Sequence, residues 1–206
     1  PMDPATRSGP SLRVNTLLTT ADALLKRLGA KGVELEKIPY AKDGYWIKKT
    51  PFSLGATTEY LRGLYYLQDA AAQVPIQVLD PKPGETVLDC CSAPGGKTTQ
   101  MAQWMENKGA IISFENGVHR MMSLKANLER CSVSNTVVYA ADATTADKFG
   151  IVFDNLLPPD FLRDVRSEIP SEATAYRTKE SKGSKKWSCN EWDKFAAQNA
   201  AAAIVN

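Results

Sequence analysis

From residue 86 onward, short apolar runs alternate with helix-length segments. The first of these runs, Thr86-Val87-Leu88, ends in Asp89 and a small-residue turn that opens into a helix. Ahead of it, residues 1–50 read as a small α/β piece of their own. Together these features predict an α/β protein: a parallel, Rossmann-like sheet over residues 51–206, preceded by a small appendage.

Residues 1–10 carry Pro, Ser and Gly and read as a loose end. Residues 12–17 read as a strand. Thr19 or Thr20 caps a short helix with Leu24, Leu25 and Leu28 on one face and Gly29 after it. Residues 33–38 and 44–47 are strand-like, separated by a turn at Asp43-Gly44. A helical stretch covers residues 69–79, and Pro81-Lys82-Pro83-Gly84 then turns the chain into the first core strand. Beyond the Gly95-Gly96 turn, Met101, Ala102 and Met105 recur at helical spacing within residues 97–106, and Asn107-Lys108-Gly109 ends that helix. Residues 110–114 form a second buried strand closed by Glu115. Residues 118–131 form a helix, 136–140 a third strand followed by Asp142, and 153–157 a fourth strand. Residues 158–186 lose this rhythm and read as a long loop. Helix returns at Ser188-Cys189-Asn190-Glu191, a capping-box pattern with Trp187 and Trp192 placed as a hydrophobic staple, and runs toward Ile204.

The chain has 206 residues, room for one domain and a small addition. A net charge of +2 means that nucleic-acid binding needs a local basic face. The cysteines, Cys90, Cys91, Cys131 and Cys189, include no C-x-x-C pair, so zinc is not expected and a reduced intracellular setting is. No apolar run reaches membrane-spanning length and no secretory signal is visible, so a cytoplasmic protein with no membrane partner is expected; a nucleolar or organellar place is the eukaryotic counterpart. His119 is the single histidine and reads as a lone surface residue. With one histidine, neither a Ser-His-Asp nor a histidine-metal site is expected within the chain.

In an open α/β sheet, ligands bind beyond the carboxyl ends of the strands. Asp89, Glu115 and Asp142 all fall at such ends. Gly95 and Gly96 let a ligand approach the backbone, and Pro94 fixes the turn before the helix. Glu115 follows the turn by about 20 residues, where an acid accepts hydrogen bonds from ribose hydroxyls. The plain alternative for each acid is a strand-end cap.

The stretch Asp89-Cys90-Cys91-Ser92-Ala93-Pro94-Gly95-Gly96-Lys97-Thr98 resembles the D-x-C-A-A-P-G-G-K-T motif of the Nop/Sun family of RNA cytosine-5 methyltransferases. Residues 53–63, Tyr66-Leu67-Gln68-Asp69 and Arg13-Val14-Asn15-Thr16 are also similar to that family, so the likeness spans roughly residues 10–157. It implies S-adenosylmethionine as cofactor and RNA, tRNA or rRNA, as substrate. It implies that Cys91, Ser92, Ala93, Pro94, Gly95, Gly96 and Lys97 cradle the methionine end of the cofactor. Glu115 and Asp142 then meet its adenosine part, and Arg120 helps to close the site. It further implies that the appendage is similar to an RNA-recognition module, where Arg13, Lys26, Arg27, Lys31, Lys42, Lys48 and Lys49 meet phosphates. The plain alternative is that these are solvated charges.

Methylation at C5 of cytosine needs a cysteine thiolate that first adds to C6. In the family, cysteines stand in a D-A-P-C-S-G motif after the fourth strand and a T-C-S motif after the fifth. Here Phe153-Asp154 is followed by Asn155-Leu156-Leu157-Pro158-Pro159-Asp160, without either motif, and the expectation is a sheet lacking its C-terminal strands. The catalytic residue is therefore unknown, with Cys189 beside a helix cap the one later candidate and an inert position its plainer reading. Lys185-Lys186-Trp187 followed by Gln198 resembles the K-W…Q stretch that follows D-A-P-C. Three readings stay open: segments of a longer enzyme are absent from this chain, a second chain completes the sheet, or the chain is a catalytically inactive RNA-binding or ribosome-assembly factor that keeps the pocket. Arg177, Lys179, Lys182, Lys185 and Lys186 make a basic loop able to hold RNA, with Trp187 stacking on a base or stapling the helix. A nucleotide oxidoreductase is the weaker alternative, because the turn reads A-P-G-G-K and not G-x-G-x-x-G.

Overall fold

The computed structural model describes residues 9–157, apart from residue 152. They form two four-stranded sheets. In the first, β1 (Ser11–Val14) runs antiparallel between β3 (Gly44–Lys49) and β4 (Tyr65–Leu67), and β2 (Glu34–Lys37) lies outside β3. Helix α1 (Ala21–Gly29) buries Leu24 and Leu28 against Leu12, Val14 and Tyr65. Thr20 is its cap, accepting from the Ala23 amide at 3.3 Å.

The first strand is shorter than its apolar pattern predicts, because Asn15 diverts the chain. Its side-chain oxygen accepts from the Leu17 amide (3.2 Å), and its Nδ2 donates to the carbonyls of Gly63 (2.9 Å) and Cys131 (3.0 Å). Strand β4 lies beyond residue 50 and is not visible in the sequence pattern: it is short, and Tyr65 and Tyr66 are both buried, so no alternation marks it. The single turn α2 (Thr58–Leu61), capped by Thr57, leads into it. The helix expected over residues 69–79 is split into a 3-10 turn, Ala71–Gln73, and α3 (Val74–Leu79) with Pro75 in its first turn.

The second sheet is parallel, with β5 (Thr86–Asp89), β6 (Ala110–Phe114), β7 (Thr136–Tyr139) and β8 (Asn155–Leu157) in the order β7-β6-β5-β8. Helix α4 (Gly96–Trp104) packs Met101, Ala102 and the following Met105 against Ile76, Val87, Ile111 and Leu157. Each of the larger side chains, Met, Ile, Val or Leu, contributes about 1.5–3 kcal/mol on full burial. The helix ends before residue 106 because Glu106 and Asn107 take positive φ values of 53° and 56°. Helix α5 (Val118–Arg130) presents Leu124 and Leu128 to Ala93. On the opposite face, Leu88, Ile112 and Phe114 meet Ala146 in a 3-10 segment, Ala143–Phe149, that no sequence periodicity announces.

No helix among the described residues is long and apolar enough to cross a membrane. The expected loop over residues 158–186, the capping box at Ser188, Cys189 and the basic segment around Trp187 lie outside the described residues.

Candidate functional site

Because β5, β6 and β7 are parallel and in register, the residues that follow them share one end of the sheet. The carboxylates there are held in different ways. Asp89 is buried: its Oδ2 accepts from the Thr98 hydroxyl (2.7 Å) and its Oδ1 from the Cys91 amide (3.3 Å). Burial pushes its carboxyl above the ordinary range, against the pull of the Thr98 bond. Asp89 thus braces the strand end to the first turn of α4.

Glu115 is also buried, at 3 % exposure, but it spans the turn. Its Oε2 accepts from the Ala93 amide (3.3 Å) and its Oε1 from the Gly117 amide (2.9 Å). Arg120 covers it from the solvent side, with Nη1 3.5 Å from Oε1. The same guanidinium donates through Nη2 to the Ala93 carbonyl (2.9 Å) and to Cys91 Sγ (3.8 Å). Arg120 therefore joins Cys91, Ala93 and Glu115 into one cluster. Asp142 is exposed beyond β7, and the hydrogen bond from the Thr144 amide (2.8 Å) holds its carboxyl below the ordinary range.

The turn itself is fixed from several sides. The Ser92 amide donates to the Phe114 carbonyl (3.2 Å) and its hydroxyl to the Asp89 carbonyl (3.1 Å). The Ala93–Pro94 peptide is cis. Gly95 sits at φ 105°, a conformation closed to most L-residues, and a Cβ there would come within 3.2 Å of Leu124 Cδ1. The Pro94 carbonyl accepts from Asn127 Nδ2 (2.8 Å) and the Tyr66 hydroxyl (3.3 Å). Lys97 is partly buried, and that burial lowers its pKa while the charge of Asp89 raises it.

One expected phosphate contact is corrected. Arg13 is 1 % exposed and faces inward from the central region of the first sheet, so it cannot meet a phosphate. Of the other cations proposed there, Lys31 pairs with Glu59 (2.6 Å), Lys48 with Glu36 (2.9 Å) and Lys49 with Glu34 (3.1 Å). Lys42 lies 5.0 Å over the Trp104 ring, and Lys26 and Arg27 are exposed on α1. His119 is exposed in the first turn of α5. Cys91 is exposed, Cys90 half-buried and Cys131 buried. No group of three or more potential metal ligands occurs among the described residues. Sequence reasoning missed Tyr66, Gln68 and Asn127 as supports of the turn. The signal for Tyr66 and Gln68 was present in Tyr66-Leu67-Gln68-Asp69, which resembled the family without a role attached, whereas Asn127 of α5 had none.

Two family models match this geometry's sequence: 16S rRNA methyltransferase RsmB/F over residues 76–158, and the N-terminal domain of 16S rRNA methyltransferase RsmF over residues 4–70. The chain belongs to the Nop/Sun family. Among the members of this family, ribosomal RNA small subunit methyltransferase F of Shewanella loihica is 41% identical over 147 residues, 68% of this chain and 30% of that one. The Pectobacterium carotovorum protein of the same name is 40% identical over 156 residues, 73% of this chain and 31% of its own. A crystal structure of a methyltransferase homolog protein from Pyrococcus horikoshii superimposes with a TM-score of 0.69 at 38% identity, over 72% of this chain and 48% of that one. This chain thus spans about a third of the length of the curated relatives it matches.

Proposed function

We propose that this chain carries the S-adenosylmethionine-binding part of an enzyme that methylates C5 of a cytosine in small-subunit ribosomal RNA. The observation that carries the reading is the clamp of Glu115 and Arg120 on the Ala93 peptide, at the carboxyl end of a parallel sheet and beside a Gly95-Gly96 turn. The residues fit the cofactor. A buried carboxylate keeps acceptor capacity for ribose hydroxyls. The exposed Asp142 suits the adenine amino group, and the backbone of residues 91–97 suits the methionine end. When bound, the cofactor supplies the methyl group. The chain's own residues bind it, orient it and shape the turn.

The two sheets divide this work: the second takes the cofactor, while the first, with Lys26 and Arg27 exposed on α1, offers contacts to RNA. The relatives named for small-subunit rRNA favour rRNA over tRNA. A cytoplasmic place follows from such a substrate. The thiolate that adds to C6 is not assigned: Cys131 is buried and raised in pKa by that burial, and Cys189 lies outside the described residues. It comes from Cys189, from the remaining length of a longer protein, or from a second chain.

The test is to titrate S-adenosylmethionine into the 206-residue chain by calorimetry, then incubate the chain with methyl-labelled cofactor and small-subunit rRNA and assay 5-methylcytosine. Binding is expected, and Glu115→Ala is expected to weaken it at least tenfold, about 1.4 kcal/mol. Unchanged affinity in that variant removes Glu115 from the site. Cofactor binding without 5-methylcytosine assigns the chemistry to residues outside this chain, or to a protein that keeps the pocket for binding alone.

A further inference from the structure

We infer that Arg13 is a positioning residue for the cofactor turn, holding Gly96 and the first two turns of α4 in place from the first sheet; this rests on the reading of that turn as the cofactor cradle. The guanidinium is wholly buried, and its described bonds end on neutral oxygens. Nε donates to Gln68 Oε1 (2.8 Å), Nη2 to Thr99 Oγ1 (2.8 Å) and to the Gly96 carbonyl (3.4 Å), and Nη1 to Gln103 Oε1.

Burying a cation costs several kcal/mol unless its donors are satisfied, and an apolar residue of similar size would serve packing better. What an apolar residue cannot supply is a rigid fork of five donors. Here the fork spans one face of a single helix, since Gly96, Thr99 and Gln103 follow the i, i+3, i+7 spacing of an α-helix. A countercharge is reached indirectly, through Gln103 Nε2, which donates to Asp43 Oδ2 (2.8 Å).

The two ends of the turn are gripped from the same side. Tyr66 of β4 donates to the Pro94 carbonyl, and Arg13 of β1 to the Gly96 carbonyl. Gln68 extends the grip, donating through Nε2 to Gln100 Oε1 (3.0 Å) and to the Ala72 carbonyl (3.0 Å), while Gln100 Nε2 donates to the Gln73 carbonyl (2.9 Å). The peptide before Gly95, the residue with the least intrinsic preference for one conformation, and the peptide after Gly96 are thereby oriented by the first sheet. A cradle built of backbone needs such support, because a shift of about 1 Å in a positioning group is enough to cost affinity or rate.

The experiment compares the full chain with Arg13→Gln, Thr99→Val and Thr99→Ser. Hydrogen exchange is followed at the amides of residues 95–99 without ligand, and S-adenosylmethionine affinity by calorimetry at a temperature where each variant is folded. Arg13→Gln is expected to exchange at least tenfold faster at the turn, with the amides of β6 unchanged, and to bind the cofactor about tenfold more weakly. Thr99→Val is expected to weaken binding by a few-fold, and Thr99→Ser, which keeps the hydroxyl, to restore it. Equal turn exchange and equal affinity in Arg13→Gln, or equal affinity in Thr99→Val, would overturn the inference. Should Arg13→Gln fail to fold, the threonine pair decides alone. If the unaltered chain takes up no cofactor, the proposed function falls, while ligand-free exchange still decides whether Arg13 holds the turn.

Discussion

Lys31 and Glu59 show how a single residue's surroundings set its charge. Glu59 is buried, and the hydrogen bonds from Lys31 (2.7 and 2.6 Å) hold its carboxyl below the ordinary value of 4.5. A lowered carboxylate stabilises the fold at every pH above its unfolded value, and that contribution fades as pH falls through the folded one. Lys31 is 40% exposed, so water screens the pair and its worth is about 1 kcal/mol. Lys31→Met is therefore expected to lower the unfolding free energy from urea titration at pH 7 by that amount, and the gap from the parent chain should narrow as pH falls below 4.5. A gap that does not narrow with acidification would assign the loss to packing of the lysine stem. At this scale the sequence was readable wherever chemistry was local. The Asp89-to-Thr98 motif specified its own turn, with Gly95 placed where φ is positive. It was unreadable where burial depends on distant partners: Arg13 looks like any surface cation until Thr99 and Gln103 arrive.

Helices and strands were legible to the degree that periodicity marks them. The parallel strands β5, β6 and β7 are short apolar runs bounded by turn residues, and each lies where that pattern placed it. Helix α4 was recognisable from Met101, Ala102 and Met105, which occupy its core face. Its other face is unusual. Thr99, Gln100 and Gln103 are buried polar residues directed at the first sheet, so the helix is covered on both sides by different chemistry. Met101→Ala opens a void only on the apolar side, where the residue is fully buried. It is expected to cost about 2–5 kcal/mol, lowering thermal stability, while leaving the polar face and its contacts to Arg13 intact. A loss under 1 kcal/mol in denaturant titration would mean that the neighbouring Ile76 and Ile111 collapse into the space. Strand β4 escaped the sequence because a three-residue strand buried on both faces has no period to detect.

For the molecule as a whole, the contact between the sheets decides the behaviour. Among the described residues no apolar cluster spans it: Leu24 and Leu28 belong to one core, Met101 and Ile111 to another. Joining them are the Arg13 and glutamine bonds, Asn15 bridging to Gly63 and Cys131, and an approach of Gly63 to the Arg130 carbonyl so close that a Cβ would lie 1.8 Å away. Arg130 adds its guanidinium 4.0 Å over the Tyr60 ring and donates to the Tyr60 carbonyl (2.8 Å). Such interlocking argues for one cooperative unit. Native-state hydrogen exchange is expected to give core amides of β1 and β5 the same opening free energy. Values differing by more than about 1 kcal/mol would mean that the sheets open separately. The sequence showed both sheets and hid this seam, since no pattern of period two or 3.6 encodes contacts between side chains so far apart along the chain.

That separation also bears on how the molecule is made. Strands β1 to β4 are all synthesised before α4. Arg13 precedes Gln103 by 90 residues. At roughly 5–20 residues per second, on the order of ten seconds pass between the two. Throughout that interval the helix partners that bury the guanidinium do not yet exist, so it stays hydrated. Its burial is therefore a late event of synthesis, completed only once α4 has been made.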